Sequence, residues 1–267
     1  MKNIYSTLFV LIMASASFGQ VTITQNSNSQ ALSQLLAGTG VTISNYSMSC
    51  AANGSGTFNN VNSNLGIQGG VVLASGRVQN ISSGANTFAS TQFTATGDAQ
   101  LATLTTGTIY DPCVLQFDII PQGSVLKFDY VFASEEYPEW VCSKFNDVFG
   151  FFITGPNPAG GNYTNKNIAL ITGNLPVAIN TVNPGAPGAS ANGGTCTAVN
   201  QTLNYSSLYI SNQLPVNPSI VYDGMTHLLT ATANVTPCQT YHLKIAIADV
   251  ADRIYDSGVF LSAYSFT

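Results

Sequence analysis

The sequence predicts an all-β protein, a β-sandwich or jelly-roll-like fold with very little helix, and three features carry the prediction. Short β-rich runs recur along all 267 residues; Gly, Asn and Pro clusters separate them; and apolar spacing of helical period is confined to one stretch. The helical stretch is 30–36, where Ala31, Leu32, Leu35 and Leu36 line one face of one or two turns. The predicted strands follow in order at 41–46, 70–74, 113–119, 125–133, 148–154, 167–171, 177–182, 207–210, 227–234, 241–248 and 259–266. About eleven strands with almost no helix lead to two packed sheets.

Alternation assigns faces to two of these strands. In 125–133, Leu126, Phe128, Tyr130 and Phe132 point one way while Lys127 and Asp129 point the other. In 241–248, Leu243, Ile245 and Ile247 form an apolar set that continues in register to Asp249, placing that carboxylate on the core side at the strand end. His242 falls on the polar side of the same strand, where a solvated or hydrogen-bonded role is expected. The segment 183–204, with Pro184, Gly185, Pro187, Gly188 and Asn192-Gly193-Gly194, is too long and turn-rich for a tight hairpin and calls for an anchor.

Residues 1–19 are expected to be a secretory signal peptide: Lys2 precedes an apolar run over 4–13, and small residues follow over 14–19. The domain is then 20–267, secreted or held at the cell surface. No later apolar stretch approaches the ~20 residues of a membrane-spanning helix, so no transmembrane segment is expected in the mature chain.

Charged residues make up only 7%, with 7 Lys+Arg against 12 Asp+Glu and a formal charge of −5. An acidic chain without a basic cluster excludes nucleic acid as a partner, because phosphate binding requires concentrated positive charge. An oxidising compartment makes disulfides the default for Cys50, Cys113, Cys142, Cys196 and Cys238. The expected pairs are Cys142–Cys196, which ties the long loop to the segment after strand 125–133, and Cys113–Cys238, each beside a core strand. Cys50 is left over.

Seven of the twelve acids sit in two short segments: Glu135, Glu136, Glu139 and Asp147 after one core strand, and Asp249, Asp252 and Asp256 at the end of another. Carboxylates gathered with few cations repel one another and raise each other's pKa unless a cation shares them. A hard divalent ion, Ca²⁺, is the economical solution. Its candidate ligands are Glu135, Glu136, Asn146, Asp147, Asp249, Asp252 and Asp256. The competing reading has Glu135 and Asp249 accepting backbone hydrogen bonds or pairing with Arg253 or Lys144. The spacing does not match an EF-hand, and no HExxH or GxSxG motif accompanies His227, His242 or Ser257. A carboxylate pair such as Glu135 with Asp147 or Asp249 would suit glycoside hydrolysis, with Tyr137, Trp140 and Tyr255 either stacking on sugars or packing against the core.

The run 128–152, through Ser134-Glu135-Glu136-Tyr137-Pro138-Glu139-Trp140 and Asn146-Asp147-Val148-Phe149-Gly150, resembles the choice-of-anchor L domain family. The blocks 167–171, 176–183, 222–226, 237–249 and 255–261 are similar to that family in the same order, and 40–45 and 66–76 resemble its N-terminal part. The resemblance implies a secreted bacterial surface domain, common in Bacteroidetes, with adhesion as its usual role and no general catalytic activity. Ser265-Phe266-Thr267 closes without the sorting segment other members carry, so anchoring is left open. The expectation is an exported non-catalytic adhesion module, Ca²⁺-stabilised, recognising a surface glycan or protein. Its alternatives are a carbohydrate-active hydrolase built on a rim carboxylate pair and a purely structural surface protein.

Overall fold

The computed structural model describes residues 21–83, 88–213 and 219–267, so the expected signal peptide lies outside the described residues. The chain begins with β1 (Val21–Gln25), a helix α1 (Ser29–Leu36), β2 (Val41–Ser49), β3 (Ser55–Asn60) and β4 (Gly69–Ala74). It continues through β5 (Ile109–Pro121), β6 (Val125–Ser134), β7 (Val148–Pro156), β8 (Asn162–Asn167), β9 (Leu170–Ile171) and β10 (Leu175–Ala178). It ends with β11 (Tyr209–Ser211), β12 (Gly224–Thr226), β13 (Leu229–Asn234), β14 (Tyr241–Val250) and β15 (Ser257–Ser262). The all-β class is as expected. Helix α1 starts where Asn28 Oδ1 accepts the Ala31 N–H at 3.0 Å, satisfying one of the donors that a helix start leaves free.

Two antiparallel sheets form the sandwich. One runs β1-β3-β4-β15-β6-β12-β11, with β13 also pairing β6; the other runs β2-β5-β14-β7-β10-β9, with β8 on β7. The facing surfaces interdigitate around Phe128, whose ring stacks on Phe266 at 4.4 Å and meets Phe151 edge-on at 5.3 Å. Leu126, Phe128, Tyr130 and Phe132 all face this core, as their alternation requires. The other face of β6 is polar only at its start. Val131 and Ala133 are buried against Val72, Phe260, Ile220 and Met225, because the 3₁₀ turn at Val78–Ser83 and the chain before β12 cover the outside of that sheet.

Several expected strands are shorter or split, each for a local polar reason. The 167–171 run breaks after Asn167, whose side-chain carbonyl accepts the N–H groups of Phe151 and Ala169. The 177–182 run ends at Ala178, where the Thr181 hydroxyl accepts the Ala178 N–H at 2.9 Å and donates to Pro176 O at 2.7 Å. The last run ends at Ser262, and the chain then turns inward so that Phe266 enters the core. Strands β3 and β12 carry too little apolar alternation to be read beforehand, whereas β1, where Val21 and Ile23 alternate with Thr22 and Thr24, has that signal and lies outside the predicted strands.

Cys113 bonds to Cys50, not to Cys238. The register of β2 on β5 sets Ser49 opposite Val114, so Cys50 and Cys113 fall opposite one another, Cα to Cα 4.1 Å. Cys238 donates its N–H to Pro121 O, at the far end of β5. Eight residues of extended strand separate that end from Cys113, about 26 Å, well beyond disulfide reach. Cys238 is free and exposed. The second bridge joins Cys142 to Cys196 and ties the long loop down. His242 lies on the outer face with Nδ1 2.8 Å from Asp118 and is half-exposed.

Candidate functional site: an acidic mouth of the sandwich

Five strand ends from both sheets meet at one end of the sandwich, and each carries an acid or a small polar residue into it. Strand β6 runs into Glu135 and Glu136, β15 begins just after Asp256, and β4 runs into Ser75 and Gly76. From the facing sheet, β7 begins just after Asp147 and β14 ends over Asp249. The Glu135 N–H donates to Asp256 O and the Ser75 N–H to Ser257 O, so backbone pairing holds these ends in place. The register shift between Ile247 and Asp249 puts its extra residue on β5, between Cys113 and Tyr110, so β14 keeps its alternation and carries Asp249 inward.

Glu135, Glu136, Asp147, Asp249 and Asp256 are all at most 5% exposed. Asp147 is fully engaged: Oδ1 accepts the Val250 N–H at 2.9 Å and Oδ2 the Ser257 hydroxyl at 2.7 Å. Asp256 Oδ1 accepts the Thr91 N–H at 2.8 Å, while its Oδ2 has no partner. Glu135 Oε2 and Glu136 Oε2 are also buried without a partner, as are both oxygens of Asp249. The Ser75 hydroxyl pulls Asp249 toward ionisation, and it also accepts the Ser257 N–H at 2.8 Å and donates to Ser257 O at 3.3 Å.

Among the described residues no cation pairs with any of these five acids. The ion pairs among the described residues are His242–Asp118, Lys244–Asp98 and Arg253–Asp111, all outside the group. Lys144 is exposed, its ammonium 5.0 Å from the Phe145 ring. Desolvation by burial therefore dominates. It pushes Glu135 up to about 8, with Asp223 and Asp256 adding repulsion. Burial pushes Asp256 up to about 7 against the pull of the Thr91 hydrogen bonds. Burial and neighbouring carboxylates also raise Glu136, Asp147 and Asp249 well above the usual carboxylate range.

The other two expected ligands are placed differently. Asp252 is half-buried and its Oδ1 closes a turn by accepting the Ile254 N–H at 3.0 Å. Asn146 Oδ1 accepts the Asn180 N–H at 2.7 Å. Asn180 in turn accepts the Cys142 N–H at 2.6 Å and donates to Ser143 O at 2.9 Å, so this amide pair braces the 135–147 loop. Among the described residues, no three His, Cys, Asp or Glu side chains are arranged to hold a metal ion by themselves. Two residues of the site carry no sequence signal. Asp111 is buried beneath Arg253, and the fully buried Tyr222 lies in the field of Asp256, Glu135, Asp249 and Asp147. Only the folding of distant strands brings them here.

Aromatic side chains border this mouth on the surface. Phe145 meets Trp140 at 4.9 Å, Trp140 meets Tyr255 at 6.2 Å, and Tyr255 meets Phe88 at 6.2 Å. Phe88 is 73% exposed and the other three are part-buried. Tyr137, by contrast, is fully buried, its hydroxyl donating to Val182 O and its ring packed on Tyr209.

No helix among the described residues is long and apolar enough to cross a membrane. No curated protein and no solved structure matches the chain. The family model of the choice-of-anchor L domain matches residues 20–267, and it takes in every strand and all the acids of the mouth. With nearly its entire length matched, the chain belongs to the choice-of-anchor L domain family.

Proposed function

We infer that this protein is an exported, non-catalytic module that binds glycan on the aromatic row Phe145–Trp140–Tyr255–Phe88. Membership of a choice-of-anchor family relates the chain to the cell surface, and that family is not one of enzymes. The row is the observation that carries the reading. The C–H faces of a pyranose are apolar and weakly positive, and they match the negative faces of partly exposed rings. Its hydroxyls need polar groups at the edge of the same surface. Asp252 and Glu139, half-buried and close enough to bear on Glu136, supply acceptors there.

The burial of the five acids supports a non-catalytic role. A carboxyl that protonates or attacks a glycosidic bond must touch it, and all of these are enclosed between the sheets. The experiment is calorimetric titration of the purified chain against a panel of soluble polysaccharides, repeated with Trp140→Ala and Tyr255→Ala. Each substitution should weaken binding roughly tenfold, about 1.4 kcal/mol for one ring face. Unchanged affinity in both variants refutes the assignment of the surface. Absence of binding to every polysaccharide refutes the ligand class.

A further inference from the structure

We propose that the mouth of the sandwich is a Ca²⁺ site, with Asp249 and the free oxygen of Asp256 as its two carboxylate ligands. The claim starts from unpaired oxygens rather than from the acids as a cluster. Asp249 is 1% exposed and neither of its oxygens has a hydrogen-bond partner. Asp256 is equally buried, and its Oδ2 is free although its Oδ1 is bonded. A buried acceptor without a partner costs about 1–3 kcal/mol, more when charged. Native proteins rarely keep several such atoms side by side.

Backbone packs directly against one of these atoms. A Cβ on Gly76 would stand 1.7 Å from Asp256 Oδ2, so bare backbone flanks the free oxygen where any other residue would displace it. The charges of Asp256 and Asp147 both bear on Asp249. Two strand ends from opposite sheets thus bring together buried carboxylates that have free oxygens and lie close enough to repel one another. Lys144, Arg253 and Lys244 are engaged elsewhere, and no ion pair among the described residues includes Asp249 or Asp256.

The donor chemistry selects the ion. Every free donor is oxygen; Cys50, Cys113, Cys142 and Cys196 are locked in disulfides, and His242 lies on the outer face with Asp118. That set suits a hard cation rather than zinc or copper. Because no three acidic side chains among the described residues are arranged to grip an ion, the remaining ligands have to be neutral oxygens or water. Ca²⁺ accepts such irregular mixed shells of six to eight oxygens, whereas Mg²⁺ demands a near-ideal octahedron. Asp147, with both oxygens hydrogen-bonded, lies outside the direct shell, while Glu135 and Glu136 each keep one free buried oxygen beside it. An ion here clamps the two sheets together beneath the aromatic row.

The test uses the full chain stripped with EDTA. Tb³⁺, a luminescent stand-in for Ca²⁺, is titrated in with excitation through tyrosine, since Tyr222 lies in the field of both ligands. Ca²⁺ is then added as competitor, and calorimetry measures Ca²⁺ directly. Saturable Tb³⁺ emission displaced by Ca²⁺ and weakened roughly ten- to a hundredfold in both Asp249→Asn and Asp256→Asn supports the site. Asp118→Asn, on the outer face, should bind as the parent does. No saturable binding by the parent chain overturns the proposal, as does binding that survives both substitutions. Asp249→Asn removes a like charge, so it should fold in EDTA at least as well as the parent. Its failure to fold would show that this carboxylate serves another purpose and would also overturn the proposal. None of these readings depends on glycan binding.

Discussion

Without divalent ions, this protein should become less stable as the pH rises from about 4 to about 8, the reverse of ordinary acid denaturation. The perturbation is proton removal from the buried acids of the mouth. A carboxyl whose folded pKa lies above its unfolded value binds its proton more tightly in the folded state. Its contribution is fully present below the unfolded pKa and is lost as the pH climbs through the folded one. Asp256 goes from an ordinary 3.8 to about 7. At about 1.4 kcal/mol per pH unit, that one group costs roughly 4 kcal/mol between pH 4 and pH 7. Glu135, raised from 4.5 to about 8, acts in the same direction over a slightly higher window. The assay is thermal unfolding in EDTA at pH 4.5, 6.0 and 7.5. The Asp256 contribution alone corresponds to a fall on the order of 10 °C for a chain of this size. Excess Ca²⁺ at pH 7.5 should reverse much of the fall, because a ligand that binds only the folded state stabilises it. A melting temperature that stays level or rises across this range in EDTA would refute the electrostatic reasoning, since it would mean the acids are already compensated within the chain.

Two further predictions concern the scaffold. Replacing Cys142 and Cys196 together by Ser opens a loop closed over 54 residues, and replacing Cys50 and Cys113 opens one of 63. Each pair should lower the unfolding free energy by about 4 kcal/mol, with the first also exposing 183–204 to protease, while Cys238→Ser changes little; equilibrium denaturation and limited proteolysis check both. Asn180→Ala leaves the Cys142 N–H and Ser143 O buried without partners, so the denaturation midpoint should fall by the equivalent of about 2–4 kcal/mol.

Much of the fold was legible because its strongest signal is local. The alternation of Leu126, Phe128, Tyr130 and Phe132 marks β6, and the turn-rich 183–204 segment marks a loop that needs a tether. What stayed hidden is governed by pairing. Ser55–Asn60 becomes strand β3 by pairing with β1 and β4, although its own residues are mostly polar. The Cys50–Cys113 bond follows from the register of β2 on β5, which no spacing along the chain encodes. The two strand-like halves of 167–171 likewise separate because a single Asn side chain reaches across to β7.

The site divides in the same way. The chain alone determines that its acids concentrate at the ends of two core strands, and the period of two aims Asp249 inward, because a strand's faces follow from residue number. Only the tertiary structure decides which acids meet. Asp147 lies far in sequence from Asp249 and Asp256, and they come together because β7 and β14 are neighbours in one sheet while β6, β15 and β4 are neighbours in the other. Enclosure between those sheets is what turns a modest local excess of acids into buried, unpaired charge. Desolvation depends on what packs around a group, and long-range strand order sets that packing.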